Sequence, residues 1–184
     1  TNFSFSEDWS IQDDWGKYFQ KESVTGTIVV IDQRTEKRFI YNQKRALKSF
    51  SPASTFKIPH TLFALDAGVV QDEFQNIEWD GVERTFQAWN KDQTLKTAFQ
   101  YSCVWCYQRY AIKVGDKKYH EYLRKFYYGN LLTGSDITRF WLDGDLRLSV
   151  KDQIRFLRKV YAEDLPIKKH HIRILKAIML SEEN

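Results

Sequence analysis

Residues 24–32 and 38–41 are rich in β-branched and aromatic side chains, and the polar stretch Gln33-Arg34-Thr35-Glu36-Lys37 separates them. That pattern predicts two strands joined by a turn, an antiparallel hairpin. Farther along, apolar positions recur every three or four residues, which predicts helices over 55–66, 104–114, 117–127, 150–162 and 169–180. Ser149 stands three residues ahead of Asp152, the arrangement of a capped helix start, and Gly129 is placed to stop a helix. No internal repeat, low-complexity tract or Gly/Ser-rich linker divides the chain. An early hairpin followed by many helices predicts an α+β fold, a single domain over residues 1–184 with an antiparallel sheet flanked by helices. A two-stranded hairpin is marginal in water and needs further strands or a covering helix, yet the chain offers few further strand candidates.

With 184 residues, 42% of them hydrophobic, the chain can bury one substantial core. Its longest apolar runs, such as Ile28-Val29-Val30-Ile31 and Ala177-Ile178-Met179-Leu180, fall far short of the roughly 18 residues a membrane span needs. Net charge is +4, from 28 basic and 24 acidic residues, with the signs interspersed outside short groups such as Lys168-Lys169-His170-His171. A mildly basic, solvated surface is therefore expected, and a nucleic-acid partner is not. Cys103-x-x-Cys106 has the spacing of a redox pair, but no second ligand pair and no thioredoxin-like strand accompany it. Both cysteines are expected to pack as small apolar residues. His60, His120, His170 and His171 show no zinc-site spacing, so no metal is expected.

The candidate chemistry lies in Ser54-Thr55-Phe56-Lys57, which precedes Ile58-Pro59 and the apolar-periodic Leu62, Phe63 and Leu65. At the start of a helix, positions i and i+3 share a face, which sets a hydroxyl beside an amine. This is the arrangement of a serine nucleophile with a lysine-derived base, and unpaired N–H groups at the helix start favour a developing oxyanion. A lone S-x-x-K arises by chance about once in a chain this long, so context must carry the reading. Lysine's ordinary pKa of about 10.4 also leaves it protonated at neutral pH, and an ammonium accepts no proton. Desolvation that lowered the value to about 7 would supply a base, at a cost of about 4.6 kcal/mol, and requires an apolar pocket.

The context comprises Tyr101-Ser102-Cys103-Val104-Trp105, Tyr127-Tyr128-Gly129-Asn130 and Phe140-Trp141-Leu142, with Trp79-Asp80-Gly81-Val82 and Trp89-Asn90-Lys91-Asp92 between them and Ser54 or flanking them. In order and spacing these motifs resemble the penicillin-recognising serine enzymes, and specifically the class D β-lactamases, or oxacillinases, from about Gly26 onward. The resemblance implies a serine β-lactamase-like fold and hydrolysis of β-lactams through an acyl-enzyme on Ser54. It implies that Lys57 takes up carbon dioxide as an N-carboxylate and serves as general base, with no other cofactor. Ser102 would relay a proton to the lactam nitrogen, although a plain helix N-cap is its simpler reading. Val104, Trp141 and Leu142 would wall the lysine pocket, and the Trp141 indole N–H would donate to the carboxylated lysine; an ordinary core tryptophan is the plainer alternative. Phe86 and Trp89 would line the substrate cleft or else belong to the core. Tyr128-Gly129-Asn130 is read as a brace.

The resemblance further implies export to the periplasm or medium after removal of a signal peptide, leaves a homodimer open, and implies strands beyond Asn184 that open with K-T-G or K-S-G. Lys96-Thr97-Ala98 lacks the glycine and precedes Ser102, so it does not fill that place, and the chain is read as incomplete at its C-terminus. A second function stays open: a penicillin-sensing receptor domain that is acylated once without turnover. The apolar Val104, where sensors often carry a polar residue, favours the enzyme, and S-C-V in place of S-D-N argues against a class A enzyme or a cell-wall peptidase.

Overall fold

The computed structural model describes residues 9–180. A three-stranded sheet, in spatial order β1-β3-β2, stands at the start of the chain: β1 (Trp9–Ile11), β2 (Ile28–Ile31) and β3 (Arg38–Tyr41). The predicted hairpin is present, with Val29 opposite Ile40 and Ile31 opposite Arg38. Its turn is held by Asp32, whose carboxylate accepts from the Arg34 N–H at 2.8 Å and the Thr35 hydroxyl at 2.6 Å. The strand begins at Ile28 instead of residue 24. Ahead of it, the Thr27 hydroxyl and the Asn42 amide turn the chain onto the Tyr41 and Gly26 carbonyls, at 2.6 and 2.9 Å. The unpredicted β1 pairs parallel to β3, so this sheet is mixed where an antiparallel one was expected. Three residues are too few for a strand period to be read. The third strand also meets the stability requirement of the hairpin.

After α1 (Gly16–Lys21), which precedes β2, come α2 (Gln43–Ala46), β4 (Ser49–Phe50), a 3₁₀ turn (Ala53–Phe56) and α3 (Lys57–Asp66). The middle of the chain carries β5 (Asn76–Ile77) paired antiparallel with β6 (Gln93–Thr94), then α4 (Leu95–Gln100), α5 (Val104–Val114) and α6 (Asp116–Phe126). The rest is β7 (Leu148–Ser149), antiparallel to β4, with α7 (Val150–Tyr161) and α8 (Lys169–Met179). The five long helices stand where the apolar period put them, within one or two residues. Those missed, α1, α2 and α4, are six residues or shorter, less than two full turns of period.

The core is helical. Helix α3 is buried from Pro59 to Leu65 and packs against α5 and α8. An aromatic cluster closes on its first turn: Phe56 meets Phe63, Tyr128, Phe140 and Trp141 at ring-centroid distances of 5.1–6.2 Å. Each such side chain fully buried contributes about 1.5–3 kcal/mol, so the segment bearing Ser54 is fastened firmly to the core.

Two expectations need correction. Helix α6 is stopped by Tyr127, in the left-handed conformation at φ 51°, and not by Gly129. Gly129 is needed for another reason: a Cβ there would lie 2.4 Å from the Arg147 carbonyl oxygen. Tyr128-Gly129-Asn130 is a brace as expected, with the Tyr128 hydroxyl on Gln153 at 3.1 Å and Asn130 bonded to the backbone of Asp145 and Arg147 at 2.8 and 3.0 Å. Second, Cys103 and Cys106 are both buried but are joined as a disulfide. The i, i+3 spacing across the first turn of α5 brings their Cα atoms to 5.5 Å, inside the range a disulfide spans.

Candidate active site

Ser54 lies in the 3₁₀ turn that leads into α3, and Lys57 is the first residue of α3 proper. The turn forms because Thr55 folds both its N–H and its hydroxyl onto the Pro52 carbonyl, at 3.1 and 2.7 Å, and because Ala53 is held in the left-handed region at φ 45°. A non-glycine residue in that region costs about 1–3 kcal/mol and persists only where neighbours enforce it. Here the Ala53 N–H donates to the Trp141 carbonyl at 2.8 Å, and the Ser51 hydroxyl reaches the Trp141 and Leu142 carbonyls at 2.9 and 2.6 Å. The segment 140–142 is thus bonded directly to the residues ahead of Ser54. Ser54 itself is exposed, and its hydroxyl bonds to none of the described residues.

Lys57, by contrast, is buried. It is 5% exposed, and burial lowers its pKa from the ordinary lysine value to about 8. Its Nζ lies 5.9 Å from the centre of the Tyr107 ring on α5. The Tyr107 hydroxyl pairs with Thr61 of α3 at 2.8 Å, which locks the two helices in register beside the lysine. Trp141 is buried, stacks on Phe56 at 5.9 Å and meets His60 edge-on at 4.9 Å, while Leu142 is half-buried against the same core. Burial is the cause of the lowered pKa, and the Tyr107 ring is one wall of the buried space around the amine. No hydrogen bond joins the Ser54 hydroxyl to the Lys57 amine.

Ser102 sits at the opening of α5. It is not an N-cap: Cys103 holds that position, and Ser102 adopts the left-handed conformation at φ 55°. The turn is tied to the end of α4, with Ser102 N–H on the Phe99 carbonyl at 3.1 Å and Cys103 N–H on the Ala98 carbonyl at 2.8 Å. Backbone strain of this kind recurs where a side chain must be aimed rather than packed. Val104 opens α5, half-buried.

Phe86 and Trp89 separate. The Trp89 indole donates to the Tyr101 carbonyl at 2.8 Å, and its own carbonyl accepts from the Trp105 indole at 3.1 Å. Trp89 therefore fixes the backbone immediately ahead of Ser102. Phe86, 63% exposed and 5.0 Å from the Trp89 ring, is the side chain of the two left open to a ligand. Its loop is stiffened by the Asp80–Arg84 ion pair at 2.6 Å and by reciprocal bonds between Asn90 and Arg84 at 2.9 Å.

Sequence reasoning gave no role to Tyr107 or His60, and both stand against the lysine pocket. His60 is three residues after Lys57 and fully buried, and the i, i+3 rule that linked Ser54 to Lys57 also links Lys57 to His60. That signal was present in the sequence.

Residues 26–184 match the penicillin binding protein transpeptidase domain. The chain is 47% identical to β-lactamase OXA-20 of Pseudomonas aeruginosa over 170 residues, 91% of this chain and 64% of that protein. It is 41% identical to β-lactamase OXA-48 of Klebsiella pneumoniae over 97% of this chain and 68% of that one. The solved class D β-lactamase of Sebaldella termitidis superposes with a TM-score of 0.90 at 35% identity, covering 97% of this chain and 72% of that one. The chain spans somewhat under two thirds of the length of several of the curated relatives it matches, OXA-20 among them. With the motifs, the fold and these likenesses in agreement, the chain belongs to the class D β-lactamase family.

Proposed function

We propose that this protein hydrolyses β-lactam antibiotics through a Ser54 acyl-enzyme, and that Lys57 works as an N-carboxylate. The observation that carries the reading is the contrast within one turn of chain: an exposed, unengaged serine hydroxyl ahead of a lysine only 5% exposed, with its pKa lowered to about 8. At pH 7 an amine of that pKa is neutral about one time in ten, against about one in three thousand for an ordinary lysine. Only the neutral amine reacts with carbon dioxide, so burial raises the reactive population by a factor of several hundred. Carboxylated, Lys57 supplies an anionic general base that accepts the Ser54 proton and later that of the hydrolytic water. Ser54 Oγ bonds to the lactam carbonyl carbon, the C–N bond opens, and Ser102 is suited to pass the proton to the leaving nitrogen. Trp141 carries an indole N–H suited to an anion in this pocket. Phe86 offers an apolar surface for the antibiotic side chain.

Export to an oxidising compartment is part of the same proposal, and the Cys103–Cys106 disulfide supports it. Among the described residues no helix is long and apolar enough to cross a membrane. The decisive experiment follows the intact mass of the protein after penicillin is added with bicarbonate present. An adduct on Ser54 that forms and then vanishes as penicillin is consumed is the expected result. An adduct that persists identifies a sensor instead, and the absence of any adduct overturns the assignment of Ser54.

A further inference from the structure

His60 is a histidine that neither the sequence motifs nor the proposed chemistry uses, yet it is fully buried at the centre of the site's aromatic cluster. Its ring meets Trp141 and Tyr107 edge-on, each at 4.9 Å, with Tyr119 and Phe56 at 5.4 Å. One of these four rings, Tyr107, is the one placed against Lys57. Nε2 is hydrogen-bonded to the Tyr119 hydroxyl, whereas Nδ1 is buried with no partner among the described residues. A buried ring nitrogen left open is costly, and a histidine kept in such a place needs an explanation that packing does not supply, because a phenylalanine would pack there without it.

We propose that His60 is a positioning residue for the lysine base: a neutral imidazole, anchored by Tyr119, that holds Trp141 and Tyr107 around the Lys57 side chain and so keeps that pocket receptive to the carboxylate. The inference rests on the N-carboxylated reading of Lys57 and names the group that sustains it. A protonated imidazole beside the Lys57 ammonium would be a second buried like charge, which burial and repulsion both disfavour, so the ring acts as a neutral group. Burial and the adjacent Lys57 together push His60 down to about 3, so the imidazole stays uncharged across the working range. The other titratable groups facing it, Tyr107 and Tyr119, are pushed upward by burial and also stay neutral.

The test uses the full-length protein and carbon-13 bicarbonate, reading the carbamate signal of Lys57 by NMR, the bicarbonate concentration for half-maximal signal, and the melting temperature. Three variants are compared: His60→Gln, which keeps a polar atom within reach of Tyr119 but loses the ring; His60→Phe, which keeps a ring but loses the polar anchor; and Tyr119→Phe, which removes only the hydroxyl. Both His60 variants are expected to need about tenfold more bicarbonate, the scale of a coupling between neighbouring groups, and Tyr119→Phe, which keeps the imidazole ring, less than that. Catalytic rate should return toward that of the parent at saturating bicarbonate. A lowered melting temperature with an unchanged bicarbonate requirement in whichever variants fold would overturn the proposal and leave His60 a packing residue. If the parent protein itself gives no carbamate signal, the carboxylated reading of Lys57 fails first, and this inference falls with it.

Discussion

Helices α3 and α7 both follow a serine near their start, and the two serines do opposite things. Ser149 takes the extended conformation of an N-cap and accepts from the Asp152 N–H at 3.2 Å, while the Asp152 carboxylate accepts from the Ser149 N–H at 3.0 Å. The pair forms a reciprocal capping box, so the hydroxyl is committed to its own helix. At α3 the helix is approached through a 3₁₀ turn with Ala53 in the left-handed region, no side chain caps it, and the Ser54 hydroxyl stays exposed and unengaged. A capping serine stabilises and is chemically silent; a serine one step inside a strained turn gives up that stabilisation and keeps a reactive oxygen. The same division extends one turn further in. Helix α7 buries Phe156 and Val160, whereas α3 buries Lys57 and His60 among its apolar residues.

The contrast is broken most forcefully at Ser54 and Lys57. Ser54→Ala is expected to abolish the penicillin adduct altogether, and Lys57→Ala to slow acylation by roughly ten-thousand-fold, the scale on which members of a nucleophile–base pair fail. Mass spectrometry against time measures both. Rapid turnover by Lys57→Ala would sink the role given to the lysine.

Stability should move in the opposite direction at the same site. The folded pKa of Lys57, about 8, lies below its unfolded value, so the unfolded chain binds the extra proton between about pH 8 and pH 10.5. Stability contributed by this group therefore rises with pH through that window, and below pH 8 the full cost of about 3 kcal/mol is present. Lys57→Met, similar in volume and uncharged, should raise stability by up to that amount at pH 7 in bicarbonate-free buffer, with the gain fading between about pH 8 and pH 10.5. Denaturant melts at pH 7 and pH 10.5 check the sign, and a variant less stable than the parent at pH 7 would show that the amine is well accommodated.

A smaller effect is expected where the two cysteines meet. Removing the Cys103–Cys106 bond by replacing both with alanine should cost about 2 kcal/mol or less, because the loop it closes is very short. The consequence for function is more informative. Since Cys103 lies between Ser102 and Val104, a fall in acylation rate larger than the fall in stability explains would mean that the bond aims Ser102. An unchanged rate would make it a plain clasp on α5.

What could be read from the sequence divides along the same line. The long helices follow from periodicity because their burial is regular, and the capping box was visible because its partners lie three residues apart. Ser54 and Lys57 were legible for the same local reason, with the neighbouring motifs supplying specificity. Contacts between distant segments were not legible in this way. Nothing in Ser51 predicts that it holds the Trp141 and Leu142 carbonyls ninety residues away, and nothing in Trp89 predicts that its indole fixes the Tyr101 carbonyl. The strain at Ala53 and Ser102 was equally invisible, because it is imposed by those tertiary bonds against the preference of the residue itself. The Cys103–Cys106 bond does not follow from the absence of companion motifs, because the conformation of one helical turn decides it.

The smallest effect tests the comparison most cleanly. Ser149→Ala removes a cap from a helix that carries none of the proposed catalytic groups, and losing such a cap costs about 1 kcal/mol, some 2–4 °C in a domain of this size. β-Lactam turnover and the bicarbonate response should not change. Relieving the strain ahead of α3 has the converse expectation: Ala53→Gly, which accepts the positive φ without touching Ser54, should stabilise the fold slightly while allowing the turn to relax. If acylation then slows although the protein is more stable, the strain at Ala53 is what presents Ser54. If the rate holds, the bonds from Ser51 and Ala53 to the segment 140–142 suffice to present it, and the left-handed residue is only a consequence of them.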